Sequence, residues 1–259
     1  MQGWQVETEA DLTADNLARL FANEISTIRI PGFANSDECR AVARAMREAK
    51  FADYGHNRPV QFIGMTQFNY RFRPKAEYFA AVPAAYAAQN AVFERSFNAV
   101  ERMMGHLRRV HRGPVAIAVE PDGQRYFAGI LRRTVEGGSL HADYAPYTAP
   151  GYEVGRLEAQ ITWNLYVEAL DSGGETSLFD RRWAPARKGD EVLDNYGLDM
   201  GLVDGARCQR FRPTVGDAVL FNTLNLHRVG GGPKDSQGIR LQVGSFIGRM
   251  PEGNLVLWS

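Results

Sequence analysis

The chain has 259 residues, with 30 basic and 30 acidic side chains and a hydrophobic fraction of 44%. That length allows one or two domains, and β-rich barrels and sandwiches reach it as one; the apolar share is that of a chain with a real core. A formal net charge of zero gives no reason to expect a nucleic acid or an anionic membrane as partner.

Two cysteines, Cys39 and Cys208, are too few for a disulfide framework. Both read as small buried thiols, Cys39 on the apolar side of a helix and Cys208 in a strand. The first residues carry Glu7, Glu9, Asp11 and Asp15, which is not a secretory signal. The longest uncharged run, 78–93, is mostly alanine and holds Pro83, Gln89 and Asn90. It is too short and too polar to span a bilayer. The expected setting is soluble, reducing and cytoplasmic.

Leu12, Leu17, Leu20, Phe21 and Ile25 predict a short amphipathic helix. A strand over 26–30 follows, stopped by Pro31-Gly32. Ser36 as N-cap, with Asp37 and Glu38 in the first turn, predicts a helix over 37–49 with Cys39, Val42, Ala43, Met46 and Ala49 on its buried face. Residues 51–74 are rich in aromatics and arginine and broken by Gly55, Pro59 and Gly64. They read either as a binding wall or as a strand pair covering the core. Pro83 is placed to open a long helix over 84–109, with a stripe from Tyr86 to Leu107 packed on a sheet.

The pattern then changes to period two. Strands are predicted over 115–119, 126–134, 156–169, 176–179, 207–212, 218–221, 240–247 and 255–258, with Pro121-Asp122-Gly123 and Gly173-Gly174 as turns. In the long strand, Leu157, Ala159, Ile161, Trp163, Leu165 and Val167 share one face. Short strands with Gly/Pro/Asp punctuation, preceded by helices, predict a sandwich or jelly roll supported by helices on one face. No repeat or linker interrupts it, so one domain is expected over 1–259. Residues 1–112 form its helix-rich support and substrate-loop region, and 113–259 its β core.

His141-Ala142-Asp143 carries two good metal ligands at i and i+2, a spacing that puts both on one side of an extended segment. A second histidine completes a two-His, one-carboxylate set with open positions, the pattern of non-haem Fe(II) sites. Five histidines exist. His106 and His111 sit in a basic helix end with Arg108, Arg109 and Arg112, and His56 reads as a solvated loop side chain. His227 follows the strand at 218–221. Arg240 opens a later strand, where its planar fork could pair a carboxylate.

Four blocks carry a family resemblance: His141-Ala142-Asp143, residues 166–176 (Tyr166 to Thr176, with Gly173-Gly174), Gly216-Asp217 through Phe221 to His227, and Gly238-Ile239-Arg240. Ile30-Pro31-Gly32-Phe33 with Ser36 to Cys39 is similar to the same family's opening. In that order, over about residues 25–248, they resemble the 2-oxoglutarate/Fe(II)-dependent dioxygenases of the prolyl-hydroxylase-like branch. Phe179-Asp180-Arg181-Arg182-Trp183 looks more like the small-molecule members, which hydroxylate free or N-substituted amino acids or halogenate aliphatic carbons.

The resemblance implies an α+β, mainly β fold, a double-stranded β-helix (cupin-like jelly roll) with N-terminal supporting helices. It implies that His141, Asp143 and His227 hold Fe(II). Arg240 would bind the distal carboxylate of 2-oxoglutarate, assisted by Thr176, Ser245 or Tyr166. With O2 the expected reaction is hydroxylation of an unactivated C–H in an amino acid, an amino-acid derivative or a natural-product intermediate, releasing succinate and CO2. The family's halogenases replace the carboxylate with a small residue; Asp143 therefore predicts hydroxylation. Tyr144, Tyr147, Trp163, Arg181, Trp183, Arg71 and Arg73 are the candidates to line the substrate pocket. Two readings compete: a peptidyl hydroxylase acting on a protein, and a non-catalytic cupin-like binding protein.

Overall fold

A computed structural model of the chain describes residues 3–5, 9–53, 60–134, 136–184, 197–233 and 238–259. His56, with Tyr54, Gly55 and Pro59, lies outside them. The described chain begins with strand β1 (Ala10–Asp11) and helix α1 (Ala14–Phe21), capped by Thr13, whose hydroxyl accepts from Asn16 N. Strand β2 (Thr27–Ile30) leads to helix α2 (Ser36–Glu48). Its N-cap is Asn35, one residue before the expected Ser36. Asn35 Oδ1 accepts from Asp37 N and Glu38 N while Glu38 returns a bond to Asn35 N, so a reciprocal capping box fixes the start.

Strands β3 (Ala52–Asp53) and β4 (Val60–Ile63) form the strand pair that was one reading of 51–74. The single long helix expected over 84–109 is two helices, α3 (Lys75–Phe93) and α4 (Ala99–Val110). Pro83 lies inside α3 and does not open it; Pro74 is the N-cap. Asn98 accepts from Val100 N and Glu101 N and starts α4 afresh. That Asn-x-x-Glu cap overrode the apolar stripe that runs through both helices.

The strand-rich half holds β5 (Val115–Ile117), β6 (Ile130–Thr134), the one-turn helix α5 (Ala145–Thr148), β7 (Ala159–Glu168), β8 (Thr176–Arg182), β9 (Cys208–Phe211), β10 (Ala218–Asn222), β11 (Asn225–Val229), β12 (Arg240–Arg249) and β13 (Leu255–Trp258). β6 starts four residues later than expected, because Gly129 takes φ +92° and breaks the extended run. Cys39 is buried as expected. Cys208 is exposed, a correction: it starts β9, an edge strand, where one face meets solvent.

Among the described residues the strands form a ten-stranded mixed sheet and a three-stranded sheet ordered β11-β8-β9. In the large sheet β7 lies between β10 and β12, and its two faces do different work. Ala159, Ile161, Trp163, Leu165 and Val167 join one core with Leu17 and Leu20 of α1 and Val42 and Met46 of α2. The other face carries Gln160, Thr162, Asn164 and Tyr166. At its far end Tyr166 packs with Val219, Leu178 and Phe211, tying the large sheet to the small one. The first three line a cavity of about 680 Å³. Gly244, opposite Asn164, has no side chain for a steric reason: a Cβ there would sit 2.5 Å from Trp163 O and 2.8 Å from Asn164 Oδ1.

Candidate active site

Two histidines oppose each other across one antiparallel backbone pair. His141 N donates to His227 O and His227 N to His141 O, both at 2.9 Å, so both side chains leave the same side of the ladder. Their ring centroids are 4.1 Å apart. Two residues on, Asp143 N donates to Thr223 O at 2.9 Å, and the Asp143 carboxylate returns to the histidine side. Its Oδ2 lies 3.8 Å from His141 Nε2 and 3.7 Å from His227 Nε2. Ala142 points the opposite way, into a cluster with Leu140, Leu198, Val203 and Leu226. His227 sits within β11, a strand absent from the sequence reading, rather than beyond a strand end.

The ring orientations are fixed from behind. His141 Nδ1 lies 2.8 Å from Ser139 O, and His227 Nδ1 lies 2.9 Å from Asn225 O. A carbonyl only accepts, so each Nδ1 carries the hydrogen and each Nε2 offers a lone pair toward Asp143. Burial, and then the neighbouring His141, push the His227 imidazole down to about 3, so it is neutral at neutral pH. One ligand atom from each of the three residues lies within 4.8 Å of the others. Two imidazoles and a carboxylate suit a divalent first-row metal, so the donor set fits iron.

Gln160 was not singled out from sequence. Its Oε1 accepts from Ala145 N at 2.8 Å, and its Nε2 donates to Asp143 O at 3.1 Å. It thus clamps the backbone on both sides of Tyr144. The available signal was a polar residue on the second face of a strand whose first face is apolar.

The same cavity holds a buried cation. Arg240, the first residue of β12, is 3% exposed. Its Nε donates to Gln242 Oε1 at 2.7 Å and its Nη1 to Gly174 O at 3.4 Å. The guanidinium lies 5.0 Å from the centre of the Tyr166 ring. Its partners are these two oxygens, of Gln242 and Gly174, and no described carboxylate, although a buried charge without a counter-ion is costly; burial lowers the Arg240 pKa. Thr176 and Tyr166 stand beside it, and neither buried hydroxyl has a well-formed hydrogen bond. A buried cation beside two hydroxyls is a set whose chemistry suits an anion. Ser245, the third expected helper, does not join them. It lies on the opposite face of β12, where its Oγ accepts from Trp163 Nε1 at 2.8 Å.

The other candidates divide. Tyr144 lines the cavity. Tyr147 stacks edge-on to it at 5.0 Å and to Trp183 at 5.7 Å. Trp163 is fully buried in the helix-facing core and is not a lining residue. Arg181 is exposed on β8, with its Nη2 3.4 Å from Asp204 O. Arg71 stacks between Phe68 and Phe72, and Arg73 lies over Tyr70, both on the surface. Long charged side chains on exposed segments went to solvent and ring faces, not inward.

Residues 5–259 match the family model described as carrier-protein-independent halogenase WelO5. A leucinostatins biosynthesis cluster protein S of Purpureocillium lilacinum is 34% identical over 212 residues, covering 78% of this chain and 86% of that protein. An L-gamma-glutamyl-L-propargylglycine hydroxylase of Streptantibioticus cattleyicolor is 25% identical, covering 96% and 94%. The crystal structure of an N-substituted L-amino acid dioxygenase with alpha-ketoglutarate, from Burkholderia ambifaria, has the same fold. Its TM-score is 0.67 at 15% identity, covering 95% of this chain and 91% of that one.

The fold and the relatives define the class, the 2-oxoglutarate/Fe(II)-dependent oxygenases of small molecules. Within that class the chain belongs to the carrier-protein-independent halogenase WelO5 family. Among the described residues no helix is long and apolar enough to cross a membrane.

Proposed function

We propose that this chain hydroxylates an unactivated C–H of an amino acid or amino-acid derivative, releasing succinate and CO2. In this reading the fold is a double-stranded β-helix over one domain, 1–259, with the small sheet and the polar face of the large sheet enclosing the site. His141, Asp143 and His227 hold Fe(II), which supplies the O2 chemistry when bound. Arg240, with Thr176 and Tyr166, takes the distal carboxylate of 2-oxoglutarate. The observation that carries the reading is one cavity containing both a three-ligand cluster and a buried arginine with no carboxylate partner among the described residues.

The chain's own residues set the outcome. Both Nε2 atoms are held as acceptors by the carbonyls of Ser139 and Asn225, and Gln160 fixes the loop that carries Asp143. Tyr144 forms the wall beside the carboxylate, against which a substrate carbon rests. The family is described by a halogenase, but halide chemistry needs a vacancy where the carboxylate stands, and here Asp143 fills it. The N-substituted amino acid and γ-glutamyl substrates in the relatives' names favour an amino-acid derivative. The test is anaerobic addition of Fe(II) and 2-oxoglutarate. A weak visible charge-transfer band is expected, followed on O2 addition by succinate release that depends on a substrate of this class. Absence of the band would leave a binding protein.

A further inference from the structure

One short turn serves two of the three ligand residues. Strand β10 belongs to the large sheet and β11 to the small one, and Thr223 and Leu224 connect them. Thr223 O accepts from Asp143 N, and Asn225 O faces His227 Nδ1. The ladder alone does not fix this crossing. The pairing of β11 with β8 shifts register between Asn225 and His227, an irregularity that loosens the strand just where the ligand leaves it. The turn is held instead by Trp183 N, which donates to Leu224 O, and by the end of α1. Asn222 Nδ2 donates to Leu20 O at 3.3 Å, and Asn225 Nδ2 to Asn23 Oδ1 at 2.5 Å.

Asn23 is an uncommon choice for the end of a helix. Its φ is +63°, in the left-handed region, and among the described residues it is the one non-glycine residue with a positive φ. Asn23 N donates to Leu20 O and Glu24 N to Arg19 O, which closes α1. Glycine makes such a turn without steric cost, so the turn alone does not call for a side chain. What asparagine adds is one buried oxygen. Asn23 and Asn225 are both buried. Asn23 Oδ1 accepts from Asn225 Nδ2 and also, at 3.4 Å, from Trp4 Nε1. An indole N–H only donates, so this atom must be the oxygen, and Asn225 must present its NH2 to it.

We propose that Asn23 is a positioning residue for the metal centre, acting through Asn225 and the 222–225 turn. It holds the Asn225 backbone where its carbonyl meets His227 Nδ1, and with it the neighbouring Thr223 carbonyl against Asp143 N. The end of α1 thereby sets the geometry of two ligands carried on separate segments. This rests on the reading that His141, Asp143 and His227 bind Fe(II).

The test sets Fe(II) affinity against stability in the full chain. Affinity is measured by equilibrium dialysis under argon, and the melting temperature without metal by circular dichroism. Asn23→Gly keeps the left-handed backbone and removes the oxygen, so Fe(II) affinity should fall at least about 10-fold, the lower end for residues that support a ligand. Asn23→Asp keeps an accepting oxygen and should retain most of the affinity. It should nevertheless melt below Asn23→Gly, because it buries a negative charge at a helix C-terminus. Affinity and stability then rank the two variants in opposite orders, which a merely structural role would not do. Asn225→Ala should lose as much affinity as Asn23→Gly, and the double variant no more than either, since all three remove the same bond. That cycle decides the matter even where Asn23→Asp does not fold. Wild-type affinity in Asn23→Gly, affinities that follow the melting order, or losses that multiply in the double variant would each overturn the proposal. If the affinities differ as expected but the wild type forms no charge-transfer band with 2-oxoglutarate, the oxygenase reading fails and the positioning role holds. A band with equal affinities gives the reverse, and a wild type that binds no Fe(II) overturns both.

Discussion

A carbonyl behind each histidine decides which nitrogen would meet a metal held there. With Ser139 O and Asn225 O holding the Nδ1 hydrogens, neither ring can turn without losing a bond to its own chain. His141→Ala or His227→Ala should therefore abolish the Fe(II)-dependent band and turnover while leaving the far-UV circular dichroism of the fold; full activity in His227→Ala would remove it as a ligand. Asp143→Gly should lose most hydroxylation and weaken metal binding. Product mass spectrometry with and without chloride reads the outcome, and chlorinated product from the wild type would show that the carboxylate is not on iron. At the other end of the cavity, Arg240→Lys keeps a charge but loses the planar fork, and Arg240→Ala loses both. The alanine variant should cost about 2–5 kcal/mol of cosubstrate affinity, the usual loss for one desolvated hydrogen-bonded charge pair. The His-x-Asp pair is a weak signal by itself, and it and the arginine were singled out mainly through the ordered blocks that resemble the family. Gln160, Asn164 and Gln242 were not, because a polar residue on a strand reads as solvent-facing until the second sheet covers it. Gln160→Leu should lower metal affinity about 10- to 100-fold, as supporting residues do, with the melting temperature as the control.

Two helices on the outer side of the large sheet are joined by a charge pair. Arg102 of α4 donates two bonds to the Glu38 carboxylate, at 2.9 and 2.6 Å, while Glu38 also closes the cap of α2. The Arg102 hydrogen bond first, and the Asn35 backbone N–H next, hold the Glu38 carboxyl down to about 2 from its ordinary 4.5. A lowered folded-state pKa stabilises the fold fully above the unfolded value and is lost as pH falls through the folded one. The contribution is thus present at pH 5 and above and disappears between about 4.5 and 2. Thermal melts of wild type and Arg102→Ala across that window should converge toward pH 2. The gap at neutral pH should be small, since the pair is partly solvated; a gap that widened on acidification would refute the linkage. Elements with one strong signal were legible: α1, α2, β2, β7, β10 and β12 stand close to where periodicity put them. The α3–α4 break was not, since Tyr86, Phe93, Val100 and Leu107 keep helical spacing straight through it. β11 was missed because five residues with His227 at their centre look like a loop carrying a ligand.

Across the whole molecule, polarity is sorted by sheet face rather than by depth. The helix-facing side of β7 is apolar and closed by α1 and α2, and the opposite side is polar and equally buried. A buried polar face is stable only when its groups find partners, and among the described residues Arg240 has hydrogen bonds but no carboxylate, while the Thr176 and Tyr166 hydroxyls lack well-formed bonds. Bound cosubstrate and metal should therefore raise stability as well as enable turnover. At about 100 times its Kd a ligand adds about 2.7 kcal/mol, or roughly 5–10 °C in melting temperature for a chain of this size. Arg240→Ala should lose the 2-oxoglutarate part of that shift and keep the metal part; an equal shift in both proteins would place the keto acid elsewhere.

The reciprocal hydrogen bonds between His141 and His227 make the metal centre a gauge of strand alignment. A slip of one residue in that pairing turns one histidine to the far side of its strand. The chain would then keep its helices and most of its spectrum, and lose His227 if its own strand slips, or His141 and Asp143 together if theirs does. If the three residues hold the metal, metal uptake per mole of folded protein should report this alignment, which circular dichroism alone would not.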